Sequence, residues 1–543
     1  MRLAERVTLA LGRDLTLGNL LERLARVHGR RRLVVEDSGF EVTAAEAADL
    51  VDRWAGAVAE RSEPGDRVVL ATSNGYEQFL LTLAVSRAGR IPAPVNAHMT
   101  AAEIDHVVAD SGAALVVRSV DDLAGGVALG RAVPVAASDV AALFYTSGTT
   151  GKPKGAQLTH RGLLGGVSMA ALLPSGLRRD ELVLALPVAH IYGFSLLVTT
   201  ACAGVPVYYL RHFNPVRVLD AIEGRRASAF AGVPAMYRML EEAGAAERDL
   251  TSVRLWISGA DAMPADLAAR FKRFGATATL PVVGRAVGEA TFAEGYGMVE
   301  TGGGVAIRVS PPLLPPGLGG SVGVPLPGNR LRVVGTDGDE VGIGGVGELE
   351  LTGPGVLKGY HGAPEATAQA LTDDGWLRTG DLVRKGPLGM FSFEGRQKDV
   401  IKRAGYSVYT VEVEQALEEN PEVLEAIVVP VADERDGELP VAVVRLRPGV
   451  TVADLGLGAW AAERLSRYKV PVEFHAFDDF PRTGTSKVQR RELVTAVEAL
   501  RAQGAKPAPA RKAAAGKPGK PRNTVAKTAK TTGTKRSSPA RPR

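Results

Sequence analysis

One segment, residues 145–155, constrains the fold and the chemistry of this chain more than any other. It reads Tyr-Thr-Ser-Gly-Thr-Thr-Gly-Lys-Pro-Lys-Gly, with three glycines, four serines or threonines and two lysines in eleven positions. Glycines let successive backbone N–H groups point into one concavity, and such concavities bind anions. Because the hydroxyl groups add donors and the lysines add positive charge, the segment predicts a phosphate-binding loop. The alternative is a solvent-exposed turn, since the same residue types favour turns.

The loop is not of the Gly-x-x-x-x-Gly-Lys-Ser/Thr type, because Lys152 is followed by Pro153. An apolar run at 140–144 leads into it, and Thr159 and His160 lead out toward a helical pattern. The sequence therefore predicts a phosphate site of another kind, placed between a strand and a helix.

Strand and helix patterns alternate along the first 300 residues. Helical patterns cover 44–61 and 75–88, with a short apolar strand at 67–71 between them and another at 115–120. This alternation predicts an α/β fold in which a large N-terminal domain is built from parallel α/β layers. Between residues 305 and 351 the helical patterns stop, and short strands separated by Gly/Pro turns predict a β-rich subdomain.

A second change of pattern falls near Gly395. Beyond it a helix at 411–420 and strands at 424–431 and 441–447 predict a small α+β domain. We therefore expect a large domain over residues 1–394, a small C-terminal domain over 395–503 and a tail over 504–543.

The tail carries the basicity of the chain. Residues 506–543 hold twelve Lys or Arg and no acid, and subtracting them from the net charge of +5 leaves −7 for the rest. Such a composition cannot bury a core, so we expect this tail to be disordered. Two interpretations remain open, a solubilising or vestigial extension and an arm that binds an acidic polyanion or an anionic surface.

The cysteine count and the N-terminal sequence indicate the cellular compartment of the protein. The single cysteine, Cys202, excludes an internal disulfide framework. The N-terminus is charged from Arg2 onward, and the longest uncharged stretch, 182–210, is interrupted by prolines and glycines. These features predict a cytoplasmic protein without a transmembrane segment.

Further strings carry residue types suited to a nucleotide. In Glu-Gly-Tyr-Gly-Met-Val-Glu-Thr at 294–301, Tyr296 can stack on an adenine ring, glycines allow close approach, and Glu300 can hold Mg²⁺ through oxygen. In Thr-Gly-Asp at 379–381, Asp381 is a natural acceptor for ribose hydroxyls. The other strings are Pro-Val-Ala-His-Ile-Tyr-Gly at 187–193, Ser-Gly-Ala-Asp-Ala-Met-Pro at 258–264, Gly-Arg-Gln-Lys-Asp-Val-Ile-Lys at 395–402 and Pro-Arg-Thr-Gly-Thr-Ser-Lys at 481–487.

In this order the strings resemble the signatures of the adenylate-forming enzymes, which include acyl-CoA synthetases, luciferases and peptide-synthetase adenylation domains. The resemblance spans roughly residues 17–500 and at least six motifs. The sequence departs from the family pattern at Val299, where threonine is usual, and at Ser486, where glycine is usual. It also has Val188-Ala189 where Leu-Phe is usual, and the smaller side chain at 189 would widen a pocket wall.

The resemblance implies an ATP-dependent carboxylic acid–CoA ligase, with a fatty acid as the first choice of substrate. A carboxylate would attack the α-phosphorus of ATP with release of pyrophosphate, and the thiol of CoA would then take the acyl group from the adenylate. ATP, Mg²⁺ and CoA are the implied cofactors and co-substrates. The implied nucleotide-binding residues are Thr146, Ser147, Gly148, Thr149, Thr150, Gly151, Lys154, Tyr296, Gly297, Glu300, Asp381 and Arg396.

The remaining implied roles concern catalysis and domain motion. The small domain is expected to be mobile, with Lys398 as its hinge and Gly405 near the path of pantetheine. Glu300 is the implied metal ligand, and the implied catalytic residues are Lys487, Thr146, Glu300 and His190. The implied acyl pocket contains His190, Gly193, Gly259, Gly295 and Gly302.

Three alternatives stay open. The acid could be an aryl acid of the 4-coumarate type, or the acyl-adenylate could be loaded onto a carrier protein. CoA is favoured because no carrier module follows residue 500 and no large insertion falls between Gly359 and Arg396. A nucleotide-binding protein without catalysis is the third alternative, supported only by Val299 and Ser486. An inward-facing Arg308 would favour a second carboxylate on the acid.

Overall fold

The protein is described by a computed structural model over residues 3–146, 153–173, 180–279, 286–314, 322–483 and 488–502. The α-helices are α1 (Leu3–Leu11), α2 (Leu17–His28), α3 (Ala44–Ala59), α4 (Tyr76–Arg87), α5 (Ala101–Ser111), α6 (His160–Leu164), α7 (Ile191–Ala203), α8 (Pro215–Arg225), α9 (Pro234–Glu242), α10 (Ala265–Phe274), α11 (Pro364–Ala370), α12 (Thr410–Glu418), α13 (Val452–Leu455), α14 (Leu457–Arg464) and α15 (Arg490–Ala502).

The strands of the large domain are β1 (Arg32–Glu36), β2 (Glu41–Thr43), β3 (Arg67–Leu70), β4 (Ile91–Pro94), β5 (Leu115–Val117), β6 (Val140–Thr146), β7 (Lys154–Thr159), β8 (Leu182–Leu184), β9 (Val207–Tyr209), β10 (Ala229–Gly232), β11 (Leu255–Gly259), β12 (Ala278–Thr279), β13 (Ala286–Val287), β14 (Thr291–Met298), β15 (Gly303–Ser310) and β16 (Val324–Pro325). The later strands are β17 (Arg330–Val334), β18 (Val346–Thr352), β19 (Leu377–Lys385), β20 (Phe391–Arg396), β21 (Ile401–Arg403), β22 (Tyr406–Val408), β23 (Val423–Asp433), β24 (Gly437–Leu446) and β25 (Glu473–Ala476).

A nine-stranded sheet forms the centre of the molecule, in the order β16-β15-β14-β11-β10-β8-β9-β1-β2. The six strands from β14 to β1 in this order run parallel, and the pairs at both ends are antiparallel. A second, three-stranded sheet, β4-β3-β5, is also parallel. The prediction of an α/β fold with largely parallel layers is thereby confirmed.

Aromatic side chains fill the two faces of the central sheet. On one face Phe194 of α7 packs against Phe79 of α4 and Phe144 of β6. On the other, Trp256 of β11 packs edge-on against Phe271 of α10. Covering both faces is what a parallel sheet requires, because its crossover helices lie on either side.

The β-rich subdomain and the small domain have sheets of their own. Strands β17-β18-β19-β20 form an antiparallel sheet, and β22-β21-β24-β23 with β25 form another. The chain leaves the first sheet at Arg396 and joins the second at Ile401. The predicted helix at 411–420 is α12, shifted by one or two residues at its ends.

One strand is shorter than its sequence pattern. The pattern at 115–120 predicts six strand residues, but β5 ends at Val117 and a 3-10 helix follows over Val120–Leu123. The hydroxyl of Ser119 accepts the backbone N–H of Asp121 at 3.2 Å and so caps that turn. A serine that caps a helix competes with continuation of the strand.

Within the described residues, no helix is long and apolar enough to cross a membrane. Cys202 is buried, and burial raises the pKa of its thiol to about 12. The basic tail at 504–543 lies outside the described residues, so its two interpretations stay predictions.

A buried histidine ties the hairpin β6–β7 to the N-terminal helices. His160 is 2% exposed, and its Nδ1 accepts the backbone N–H of Leu17 at 3.1 Å. Burial lowers the pKa of His160 from 6.5 to about 4. Because the folded-state pKa lies below the unfolded one, the stability it contributes is present above pH 6.5 and is lost as the pH falls toward 4.

Replacing His160 by asparagine should remove this pH dependence, because asparagine offers an acceptor near Nδ1 but does not titrate. We expect the difference in free energy of unfolding between wild type and His160→Asn to change by about 3 kcal/mol between pH 7 and pH 4. Urea denaturation at a series of pH values measures it. A difference that stays constant over this range would contradict the assignment.

Candidate active site

The candidate site is a cleft of about 1610 Å³ that opens where several parallel strands of the central sheet end. Residues just after β8, at the end of β11 and at the end of β14 line it, which is where α/β sheets bind ligands. Arg482, Thr483 and Gln489 of the small domain line it as well. The cleft is therefore shared by the two domains.

The predicted phosphate loop connects the hairpin strands β6 and β7. The prediction that it lies between a strand and a helix is wrong, because residues 154–159 pair with β6 as a strand and α6 begins only at His160. Thr146 and Lys154 face each other in the register of this hairpin, and both line the cleft. The Nζ of Lys154 lies 5.6 Å from the ring centroid of Tyr360. Ser147, Gly148, Thr149, Thr150 and Gly151 lie outside the described residues.

Two predicted nucleotide-binding residues, Tyr296 and Arg396, contact the buried carboxylate of a third, Asp381. The hydroxyl of Tyr296 donates to Oδ2 of Asp381 at 2.7 Å, and Nε of Arg396 lies 3.0 Å from Oδ1. Asp381 is 1% exposed, whereas Tyr296 and Arg396 line the cleft. Burial and the charge of Asp381 raise the pKa of Tyr296 well above its usual value, so the tyrosine stays protonated and donates.

Glu300 lines the same cleft as Tyr296 and Arg396. It follows β14 in the 3-10 turn Val299–Thr301, and its Oε1 accepts the hydroxyl of Tyr360 at 2.8 Å. Gly297 belongs to the same strand end, where an added Cβ would meet the carbonyl oxygen of Gly303 at 2.0 Å. A larger residue at 297 would separate the strands that hold Glu300.

The hydroxyl of Thr301 does not take the place of the threonine absent at 299. Thr301 is 2% exposed, its Oγ1 donates to the carbonyl of Gly303 at 2.7 Å, and it accepts the N–H of Met298 at 3.0 Å. These hydrogen bonds stabilise the turn Val299–Thr301, so the hydroxyl of Thr301 is engaged with the backbone of the protein. Val299 lines the cleft instead, so this stretch of the wall is apolar.

His190 and Gly295 line the cleft on the side expected for the acyl group. The Nδ1 of His190 accepts the N–H of Tyr192 at 3.3 Å and caps the N-terminus of α7. The side chains that surround this part are mostly apolar and include Leu196, Met236, Ile257, Ile307 and Leu326.

Arg308 does not provide a charge for this pocket. Its Nε donates to Oε1 of Glu294 at 3.0 Å on the neighbouring strand, and it is 8% exposed. Among the described residues that line the cleft, neither Arg308 nor Glu294 is found. The possibility of a second carboxylate bound by Arg308 is therefore not supported.

Three of the glycines expected in the acyl pocket are absent from the described cleft lining: Gly193, Gly259 and Gly302. A Cβ at Gly193 would meet the carbonyl oxygen of Pro187 at 2.3 Å, and one at Gly259 would meet the ring of Tyr192 at 3.2 Å. Gly302 has a φ of 63°, in the left-handed region that favours glycine. A larger residue at 193 or 259 would collide with its neighbours, and a larger residue at 302 would strain the backbone of the turn.

The residues with predicted roles in domain motion lie in exposed turns outside the described cleft lining. Lys398 is exposed in the 3-10 turn Gln397–Asp399, between the sheet of β20 and that of β21. Gly405 is exposed in the turn between β21 and β22 with a φ of 83°. Lys487 lies outside the described residues, although Thr483 and Gln489 on either side of it line the cleft.

Sequence reasoning missed Tyr360 as a site residue. Nothing local in the sequence around Tyr360 shows that its hydroxyl reaches a carboxylate 60 residues away. The contact arises because the segment around Tyr360 pairs with β7 through a bridge from Ala156.

The chain belongs to the family of AMP-binding enzymes. The family pattern described as "AMP-binding enzyme" matches residues 21–361, and that of the "AMP-binding enzyme C-terminal domain" matches 412–487. The match covers the hairpin β6–β7, Tyr296 and Glu300 in the first range and most of the small domain in the second.

Named relatives are ligases that act on different acids. The chain is 34% identical to a feruloyl-CoA synthase of Amycolatopsis sp, over 89% of this chain and 99% of the relative. It is 32% identical to the fatty acid–[acyl-carrier-protein] ligase ScoC of Streptomyces coeruleorubidus, over 79% of this chain and 86% of the relative. Among solved structures, ATP-bound MatB from Rhodopseudomonas palustris superposes with a TM-score of 0.77 at 29% identity, over 89% of this chain and 99% of MatB.

The hydrogen bond from Tyr296 to Asp381 can be tested through its contribution to stability. We expect Tyr296→Phe to lower the free energy of unfolding by about 2 kcal/mol, because a buried carboxylate loses a donor. Tyr192→Phe is the matched control, since its hydroxyl lies 3.5 Å from the carbonyl of Gly232 and should matter by less than about 0.5 kcal/mol. Urea denaturation without ligand measures both. Equal effects of the two changes would contradict the stated geometry.

Proposed function

We propose that the protein is an ATP-dependent carboxylic acid–CoA ligase that forms an acyl-adenylate and passes the acyl group to the thiol of CoA. One observation carries the proposal: Tyr296 and Arg396, which hold the buried Asp381, line the same cleft as Glu300, Thr146 and Lys154. Side chains suited to adenosine, to a metal ion and to phosphate thus line one space. Family membership supports the same chemistry.

The nucleotide would bind with its adenine near Tyr296 and its ribose near the cluster around Asp381. Arg396 lines the cleft and forms an ion pair with Asp381, so its guanidinium group suits a ribose contact. The phosphates would lie against Thr146, Lys154 and the loop 147–151. Negative charge that develops on the phosphoryl oxygens would be offset by these donors.

Glu300 suits a magnesium ion that is bound together with the phosphates. Among the described residues no group of three or more His, Cys, Asp or Glu could hold a metal ion. Magnesium commonly takes one or two carboxylates together with substrate phosphates and water, so a single carboxylate in the cleft is sufficient. When bound, the ion would neutralise phosphate charge. The hydroxyl of Tyr360 would orient Glu300 through Oε1.

The two half-reactions would use the two domains differently. Lys487 would reach the carboxylate and the α-phosphate during adenylation, from a segment whose neighbours Thr483 and Gln489 line the cleft. Rotation of the small domain about Lys398 would then withdraw this segment and bring the turn at Gly405 toward the adenylate. Such a motion suits a site that must first hold pyrophosphate and then admit a thiol.

For the acid we propose an uncharged acyl group, with a fatty acid as the first candidate. The apolar lining by Leu196, Ile257 and Ile307 supports it, as does the pairing of Arg308 with Glu294 outside the cleft. An arylpropenoic acid is the second candidate, which is favoured by the similarity to a feruloyl-CoA synthase and by the ring of Tyr192 on the cleft wall.

The activity is tested by acid-dependent release of pyrophosphate from ATP and Mg²⁺, with and without CoA. The acids are acetate, hexanoate, laurate, palmitate, ferulate, 4-coumarate and malonate. We expect turnover with fatty acids that rises on addition of CoA and none with malonate. Turnover confined to ferulate and 4-coumarate would instead select the aryl acid ligase.

Two results would contradict the proposal. Release that CoA does not accelerate would favour transfer to a carrier protein, as the name of ScoC states for that relative. ATP binding without release for any acid would favour a nucleotide-binding protein without catalysis, with Val299 as its structural basis.

Lys487→Ala should separate the half-reactions. We expect adenylation to fall by on the order of 10²–10³-fold, because a charge that stabilises the transition state is lost, and thioester formation from supplied acyl-adenylate to change much less. Lys385→Ala is the control, since its ammonium pairs with Glu340 at 2.7 Å away from the cleft. Isotope exchange between pyrophosphate and ATP measures the first step. Equal losses in both steps would contradict the role of Lys487.

A further inference from the structure

A buried ion pair joins the two domains close to the shared cleft. Arg238 lies on α9 of the large domain, and its Nη2 donates to both oxygens of Glu418 on α12 at 2.8 Å. The two side chains are only 16% and 17% exposed. Both groups are charged, and charge-assisted hydrogen bonds of this kind are stronger than neutral ones.

A second carboxylate extends the pair toward the cleft. Glu425 on β23 is 4% exposed and receives three guanidinium groups. Arg238 reaches it at 3.3 Å, Arg445 of β24 at 3.3 Å and Arg482 at 2.5 Å. Arg482 itself lines the cleft and begins the segment that leads to residue 487. Glu425 therefore links Arg238 to the segment that carries the proposed catalytic lysine.

Desolvation makes these carboxylates depend on their arginines. Burial raises the pKa of Glu418 to about 7, and the largest opposing effect is the charge of Arg238. Without Arg238, Glu418 would be left ionised or protonated in a largely dry interface, and either state is costly there.

We propose that Arg238 is a positioning residue for adenylation, which holds the small domain in the orientation that places Arg482 and Thr483 at the cleft. The inference rests on the proposed ligase function. Arg238 does not line the cleft among the described residues, so it would act through Glu418 and Glu425 rather than on the substrate.

Loss of Arg238 should open the interface rather than unfold a domain. Its partners belong to the other domain, and the chain crosses between the two sheets at 397–400. When the domains separate, Glu418 gains water, which removes the penalty of an unpaired buried charge. A second interdomain pair, from Arg445 to Glu242 at 3.2 Å, is weaker because Glu242 is 37% exposed.

The test compares Arg238→Gln with wild type in the two half-reactions. We expect exchange of pyrophosphate into ATP with the acid that wild type prefers to fall about 10- to 100-fold in kcat, since misplacing a catalytic segment costs this much. The KM for that acid should stay within about twofold, because the acyl side of the cleft is intact. Thioester formation from supplied acyl-adenylate should stay within about threefold, as it does not need the closed orientation.

Matched variants separate positioning from general damage. Arg238→Lys keeps the charge and should recover part of the lost exchange rate, but not all, because an ammonium lacks the planar fork with which Arg238 contacts Glu418 and Glu425 at once. Arg248→Gln removes an arginine that pairs with Glu223 at 2.7 Å within the large domain and should leave both half-reactions unchanged. Glu418→Gln should slow exchange, and the double variant should be slower by less than the product of the two single effects.

The outcomes are distinct. Equal losses in both half-reactions for Arg238→Gln, or no loss in either, would overturn the inference while leaving the ligase function in place. Independent effects of Arg238→Gln and Glu418→Gln would also overturn it. Absence of acid-dependent exchange in wild type would overturn the proposed function instead.

Discussion

A buried carboxylate needs an opposite charge or hydrogen-bond donors beside it, because it has little access to water. The candidate site is built around one such carboxylate, that of Asp381. The carboxylate is 1% exposed and is held by Tyr296 from the end of β14 and by Arg396 from the end of β20. One strand belongs to the central sheet and the other to the β-rich subdomain. The contacts of Tyr296 and Arg396 with Asp381 therefore hold the two sheets together beside the cleft. Arg396 directly precedes the turn that leads into the small domain.

The same constraint operates between the domains with a different consequence. Within a domain, removal of one partner of a buried pair destabilises the fold, because the remaining charge has no route to water. Between domains that can separate, the interface can open, and the remaining charge then regains contact with water. The contacts of Glu418 and Glu425 with Arg238 are thus suited to fix the orientation of the small domain relative to the large one. The contacts of Asp381 are suited to stabilise the fold around the site.

Much of the fold was predictable from sequence, because alternating apolar segments and glycine-rich turns encode parallel layers locally. The helix at 44–61 and the strand at 67–71 agree with α3 and β3 to within two residues. The strand at 115–120 does not, because the hydroxyl of Ser119 caps a 3-10 turn. The glycines at 193, 259 and 302 also show the limit: composition marks small residues, but not whether they face a pocket or a neighbouring backbone.

The sequence by itself determined the kind of protein, since ordered strings such as 145–155 and 379–381 carry residue types suited to phosphate and ribose at fixed spacings. Only the tertiary structure decided which of those groups meet. The bond from Tyr360 to Glu300, the enclosure of Asp381, the turning of Arg308 toward Glu294 and the reach of Arg238 across the domain interface all join residues from different elements. Such contacts depend on strand order and domain orientation, and these follow from the packing of the whole chain rather than from any local pattern.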